Sequence, residues 1–359
     1  MKRTWPFALL ALLFLAIVVR TVPATGRPSP RCPAIASPTP LPADVLENPV
    51  AVEPHPEPLS TPEAAPNPTP SRRSAVTEAL HWLIRVQNPD GSWGDGPATL
   101  GGRPISKMGV TSLALLSLFG GGYSHLSRDG FDQDKPVGPM IRKALDWMMG
   151  QQADDGTFPS GFDAGFDHAL ATLAINEAYG MTGSPKFQSA ATHSLEALLR
   201  LQGADGSWGG PEPTAWAVRA MASALLNDLP VPDGAREASL RYMLTTPHPA
   251  NVANRIFLTR DRASIAAEAA SLAQAPPLGE GRDFSDWYHA GLGMFQYDGP
   301  DGPLWKQWNE PMKNAIQPLQ QSDGSWSGGS LSHSVIRAGL AVHTLQVYYR
   351  YANVFMTSK

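Results

Sequence analysis

Acids and histidines placed where apolar helices begin are the residues of this chain best equipped for chemistry. Asp163, Asp167 and His168 precede or open an apolar run at 168–180, Asp286, Tyr288 and His289 open one near 287–297, and Ser332 and His333 open the last, at 332–351. Neutral imidazoles beside carboxylates are a donor set for zinc or another divalent ion, which makes His168, His289 and His333 candidate metal ligands. No two of them lie within one helical turn, so such a site rests on tertiary geometry alone. Paired carboxylates are equally the means of acid–base chemistry on a glycosidic bond. The plainer expectation is that Asp167 and Ser332 cap helix N-termini and that the histidines are ordinary polar residues near helix starts. Glu177 falls inside the run INEAYG, where a carboxylate is costly unless paired; a partner such as Arg219 is the expectation, and catalysis the alternative. Trp216, Trp287, Tyr288 and Tyr297 either line an apolar pocket or, at helical spacing, form plain core.

The composition restricts the rest. The chain has 359 residues, 42% apolar and 17% charged, with a net charge of −4, enough for a real core. It shows no run of basic residues of the kind that reads phosphate backbones, so a nucleic-acid partner is not expected. Its one cysteine, Cys32, allows no internal disulfide and leaves the bulk of the chain without a thiolate for a metal. Lys2 and Arg3, the apolar run 5–19 and Val22-Pro23-Ala24 read as a signal peptide or membrane anchor over residues 1–24, which sends the remainder out of the cytoplasm: periplasmic, cell-surface or membrane-anchored. Residues 25–72 read as a disordered Pro-rich linker. Between Pro23 and Pro70 stand fifteen of the 35 prolines, a composition that makes a semi-rigid spacer rather than a core. The folded domain is expected over 73–359.

The elements that must position the candidate residues are repeats. QNPDGSW at 87–93, QGADGSW at 202–208 and QQSDGSW at 320–326 are copies of one phrase, and QADDGTF at 152–158 is a looser fourth. Before each glutamine runs an amphipathic helix; Val137, Met140, Ile141, Ala144, Leu145 and Met148 form one stripe at spacings i, i+3, i+4, i+7, i+8 and i+11. After each aromatic comes a run that is apolar or small nearly all round, at 110–119, 168–180 and 214–226, the signature of a helix buried on every side. Asp-Gly supplies the turn between them. Successive glutamines stand 65, 50 and 118 residues apart, so the last gap hides a unit. Its outer helix is expected at 235–244 and its inner helix at 287–297, with an insertion at 251–282; five hairpins are readable, and a sixth pair fits in the insertion.

The phrase Q-x-x-D-G-S-W at the end of an outer helix resembles the QW motif of the prenyltransferase and squalene-oxidase repeat, found in squalene-hopene cyclases, oxidosqualene cyclases and protein prenyltransferase β subunits. FDHALATLAINEAYGMTG and WYHAGLGMFQYDGPDGPLWKQWNEPMKNAIQPLQ are most similar to exported bacterial members of no assigned activity. The resemblance, covering about 74–351, implies an all-α fold, an α/α toroid of five to six hairpins with parallel inner helices inside an outer ring. It also implies that Gln87, Trp93, Gln152, Phe158, Gln202, Trp208, Gln320 and Trp326 are structural, the glutamine bonding backbone at neighbouring helix ends and the aromatic stacking over it. Parallel inner helices would bring Asp163, Asp167, His168, Asp286, His289 and His333 to one mouth.

The chemistries known on this fold lack their residues here. The cyclases resembled place Asp-x-Asp-Asp at the start of an inner helix and look like two such domains joined, whereas the matching stretch, GPEPTAWAV, offers Glu212 alone. The zinc site of the prenyltransferases needs a cysteine that the domain does not have, and the Cys-Gly-Glu-Gln of thioester proteins is missing. The expectation is an exported toroid that binds an apolar or polar small ligand or a protein partner, with no cofactor and with membrane association through the N-terminus. The alternatives are a divergent cyclase or prenyltransferase-like enzyme, and a glycan-active lyase or hydrolase. A closed apolar cavity favours isoprenoid chemistry, an open cleft with two facing carboxylates favours glycans, and a filled barrel favours the binding module.

Overall fold

The computed structural model describes residues 72–130, 136–161, 164–275 and 283–350; the signal or anchor, the linker, Cys32 and Asp163 lie outside them. Among the described residues are twelve α-helices: α1 (Arg72–Arg85), α2 (Lys107–Gly120), α3 (Val137–Gly150), α4 (Ala164–Thr182), α5 (Pro185–Arg200), α6 (Pro211–Leu226), α7 (Asp233–Thr245), α8 (Asn251–Thr259), α9 (Ala266–Ala273), α10 (Phe284–Asp298), α11 (Pro303–Ile316) and α12 (Leu331–Arg350). A short antiparallel hairpin, β1 (Ala98–Leu100) and β2 (Arg103–Ile105), pairs Ala98 with Ile105 and Leu100 with Arg103 before α2.

The even-numbered helices close a ring. α2 packs on α4, α4 on α6, α6 on α8, α8 on α10, α10 on α12, and α12 back on α2. Twelve consecutive residues of α2, Met108 to Phe119, are buried, as an inner helix must be. The odd-numbered helices lie outside: α3 buries only the stripe Val137, Gly138, Ile141, Ala144, Leu145 and Met148.

Among the described residues the helices pair into six hairpins. The helix at 287–297 belongs to the fifth unit, and the stretch read as an insertion supplies the fourth unit's inner helix, α8, and the fifth unit's outer helix, α9. These two escape a periodicity reading because they are nine and eight residues long and the buried face of α8 mixes polar with apolar residues. The helix buries Asn251, Asn254 and Arg255, each answered by a specific bond. Asn254 Nδ2 donates to Ala215 O at 3.0 Å, Asn251 Nδ2 to Met243 O at 3.0 Å, and Arg255 Nη1 to both Glu268 oxygens at 2.7 and 2.6 Å.

The repeated phrase makes one repeated joint. Gln87 Nε2 donates to Gly91 O in its own turn (2.9 Å) and to Met140 O of the next outer helix (3.0 Å). Gln152 does the same to Gly156 O and Ala190 O, and Gln202 to Gly206 O and Ala235 O. Gln320 donates to Gly324 O and, at 2.8 Å, to Ala75 O of α1, so the last unit is tied to the first. The Asp accepts from the residue two further on, as Asp205 Oδ1 does from Ser207 N at 3.0 Å. The Gly has no substitute: Gly206 has φ 88°, and a Cβ there would stand 2.2 Å from Ala238 O, because the turn rests directly on the next outer helix. Trp93, Trp208 and Trp326 each send Nε1–H to the carbonyl ten residues back, Leu83, Leu198 and Ile316, at 2.7, 2.8 and 2.9 Å. The aromatic's own N–H is met from the following inner helix, by Thr111 Oγ1 for Trp93 and Thr214 Oγ1 for Trp208.

Candidate functional site

The starts of the inner helices meet at one end of the ring. Asp167 on α4 accepts from Ser106 N, just before α2, at 2.9 Å, and from Gly161 N at 3.2 Å. Asp95, also before α2, accepts from Ser332 N and Ser332 Oγ of α12 at 3.0 and 2.8 Å. The acids at this mouth therefore cap neighbouring helices. Ser332 is one of the capped groups, while Ser330 Oγ accepts from His333 N at 3.2 Å.

Glu212, in the first turn of α6, is the most constrained of them. Gly210 and the flanking Pro211 and Pro213 start the helix there, a position where free N–H groups favour an anion. Its side chain is only 4% exposed. Oε1 accepts from Trp216 Nε1 (2.9 Å), Ser285 Oγ (2.6 Å) and His289 Nε2 (3.3 Å); Oε2 accepts from His248 Nε2 at 3.1 Å. The His248 proton is on Nε2, because Nδ1 accepts from Ala250 N. Burial works against the charge, yet His289 and His248 hold the Glu212 carboxyl well below the usual range. Burial also pushes the His289 imidazole down, against the pull of Glu212, and its Nδ1 is buried without a partner, as fits a neutral ring donating through Nε2. The β1–β2 turn sits on top: a Cβ on Gly101 would lie 2.6 Å from Glu212 Cδ.

Below this cluster the ring is filled. Trp216 stacks on Tyr288 with centroids 5.5 Å apart, and Tyr288 lies 5.4 Å from His343. Arg219 is buried, donates to the Tyr288 hydroxyl and lies over both rings, 4.9 Å from that of Tyr288. Trp216, Trp287 and Tyr288 are all buried; they are core, not the wall of a cavity.

The histidines expected at one mouth go to three places. His168 faces the repeat turn: Nδ1 accepts from Phe158 N at 3.2 Å and Nε2 donates to Ser194 O at 2.9 Å, the place of Thr111 and Thr214 in other units. His289 holds Glu212. His333 is pinned between Thr99 N, at 3.2 Å, and Ser330 Oγ, at 2.8 Å. Among the described residues no three His, Cys, Asp or Glu side chains form a metal-holding group, which removes these histidines as joint ligands; helices that start at one end still aim their side chains in different directions around each axis. Asp286 is at the solvent edge of α10, where partial burial and the neighbouring Asp283 push its carboxyl up. Glu177 is hydrogen-bonded, as a carboxylate inside a helix has to be: it accepts from Ser223 Oγ at 3.1 Å, on the helix that also carries Arg219. Sequence reasoning missed His248 and Ser285; His248 sits between two prolines in a loop with no periodicity, and nothing local marks either.

Burial pushes the His168 imidazole down to about 4. An unfolded histidine titrates near 6.5, so between about 6.5 and 4 the unfolded chain binds the proton that the native one refuses, and stability falls as pH falls through that window. His168→Gln is expected to lose about 3 kcal/mol less than the parent between pH 7 and 4, read from urea midpoints at each pH.

No family model matches the chain. It is 28% identical over 188 residues to the drimenyl diphosphate synthase of Streptomyces showdoensis, 49% of this chain and 31% of that protein, and so spans less than a third of that relative's length. Two solved structures overlay 77% of it: the type II terpene cyclase MstE from Scytonema, with TM-score 0.54 and 12% identity over 97% of that chain, and the GH76A α-1,6-mannanase of Salegentibacter sp. HEL1_6, with TM-score 0.55 and 10% identity over 99% of that chain. The chain has the α/α toroid fold of these two structures. A toroid shared by a cyclase and a mannanase carries no activity of its own, and the site has to be argued from its residues.

Proposed function

We propose that this chain is an exported binding module on a terpenoid cyclase-like toroid, related to the prenyltransferase and squalene-oxidase repeat proteins and meeting its partner at its surface. The observation that carries this is the filled ring: Trp216, Tyr288, His343 and Arg219 occupy the space an isoprenoid chain would need. The acid argues the same way. A cyclase of the kind resembled needs a protonated carboxyl to give to an alkene, whereas Glu212, receiving four hydrogen bonds, is held as a carboxylate. The four turns with equivalent glutamine joints support kinship with the repeat proteins, and the N-terminal sequence supports export. Incubation with squalene or farnesyl diphosphate, followed by gas chromatography and mass spectrometry, is expected to return the substrate unchanged. A cyclised product would sink this reading.

A second reading, glycan hydrolysis, is favoured by one observation, the opposite displacement of Glu212 and Asp286, since carboxyls pushed apart in acidity mark base and acid. Gly101 seated on Glu212 stands against it. Release of reducing ends from α-1,6-mannan, abolished by Glu212→Gln, would be required to adopt it.

A further inference from the structure

Two clefts share one indole on the outer surface. The first, about 370 Å³, is lined by Asp90, Pro139, Arg142, Lys143, Asp146 and Trp147. The second, about 250 Å³, lies between Trp147 of α3 and Gln151 just after it, Ser106, Lys107 and Met108 at the start of α2, and Pro159, Ser160 and Gly161. Trp147 is only half-buried, although burying an indole is the ordinary gain of placing one on a helix. The charges around it are unequal. Asp90 is already paired with Lys107 at 3.3 Å and Asp146 with Lys186 at 2.6 Å. Arg142 and Lys143 are exposed and form no ion pair among the described residues, so the first cleft offers two free cations beside an aromatic face.

We infer that this face binds an acidic saccharide chain. A sugar ring presents a flat C–H face that packs on an indole, and its hydroxyls suit the mixed donors and acceptors of Ser106, Gln151, Ser160 and Asp90. Its carboxylate suits Arg142, whose planar fork matches that group in two hydrogen bonds, with Lys143 beside it. Two clefts on one tryptophan match successive units of a chain better than a single small molecule. The occupant is chosen by charge: Asp90 and Asp146 have their lysines, and the groups left over are cationic. This inference rests on the surface-binding reading above; cyclisation of an isoprenoid would remove that reading, whereas failure to bind saccharide without cyclisation overturns this inference alone.

Titration calorimetry of the full chain with an oligogalacturonate, a neutral oligogalactoside of equal length and a polyglutamate of equal charge is the test. The expected result is binding of the uronate alone, weakening as salt rises, reduced about tenfold or more by Trp147→Ala. Arg142→Gln is expected to reduce it several-fold, with the circular dichroism of both variants unchanged and the melting temperature of Arg142→Gln unchanged, as its exposed site allows. No uronate binding, equal binding of polyglutamate or of the neutral oligosaccharide, or uronate binding unaltered in both variants overturns it.

Discussion

Glu212→Ala is expected to cost about 3–5 kcal/mol of folding stability, the loss seen when one member of a buried charged network is removed. Trp216 Nε1, Ser285 Oγ, His248 and His289 all point at this carboxylate, and three of the four, Trp216, Ser285 and His289, are fully buried and cannot reach water in its place. Glu212→Gln keeps an acceptor of the same shape and should lose less. The gap between parent and Glu212→Gln should then narrow as the pH is lowered. A carboxylate held below its unfolded value of about 4.3 contributes its stability above that pH and gives it up as the folded group takes its proton. Urea unfolding of the parent and both variants at pH 7 and at pH 3.5 measures this. A Glu212→Ala protein as stable as the parent would mean that the cluster is not assembled as described, and the account of a sealed, ionised carboxylate would fall with it.

Trp208→Ala is the other large effect, about 3–5 kcal/mol. The indole is buried to 2% exposure, and its removal leaves a cavity between the end of α5 and the start of α6, with Leu198 O deprived of its donor. Trp208→Phe separates the two contributions: the ring still fills most of the space, and the lost hydrogen bond alone is worth about 1 kcal/mol. The two variants should therefore differ by at least 2 kcal/mol in denaturant midpoints converted at constant slope. Equal losses would assign the residue's importance to the N–H rather than to packing. Neither variant should alter binding at Trp147, which belongs to a different outer helix.

The four phrases ending in an aromatic determined, from sequence alone, that this chain is an array of outer and inner helices; that the array is a ring came from the repeat family the phrases resemble. The joint is local: Gln87 and Gly91, Asp90 and Ser92, Trp93 and Leu83 lie within ten residues of each other, and four near-copies make such a unit readable by repetition. All-round apolarity separated inner helices from outer ones for the same reason, since a helix buried on all sides has to show it in every residue. Where burial was achieved with polar side chains the reading failed. α8 and α9 passed for an insertion because Asn251, Asn254 and Arg255 are buried by hydrogen bonds to partners that only the fold supplies. The mouth was legible as a place but not as a site: Asp167, His168, His289 and His333 do open inner helices, yet which neighbour each one meets depends on rotation about the helix axis and on the hairpin 98–105. Glu212 stood out in the sequence only as a lone acid where a cyclase acid would be. Its two imidazoles come from a loop after α7 and from α10, 36 and 77 residues away, and contacts of that separation leave no trace in local spacing; they are made when the ring closes.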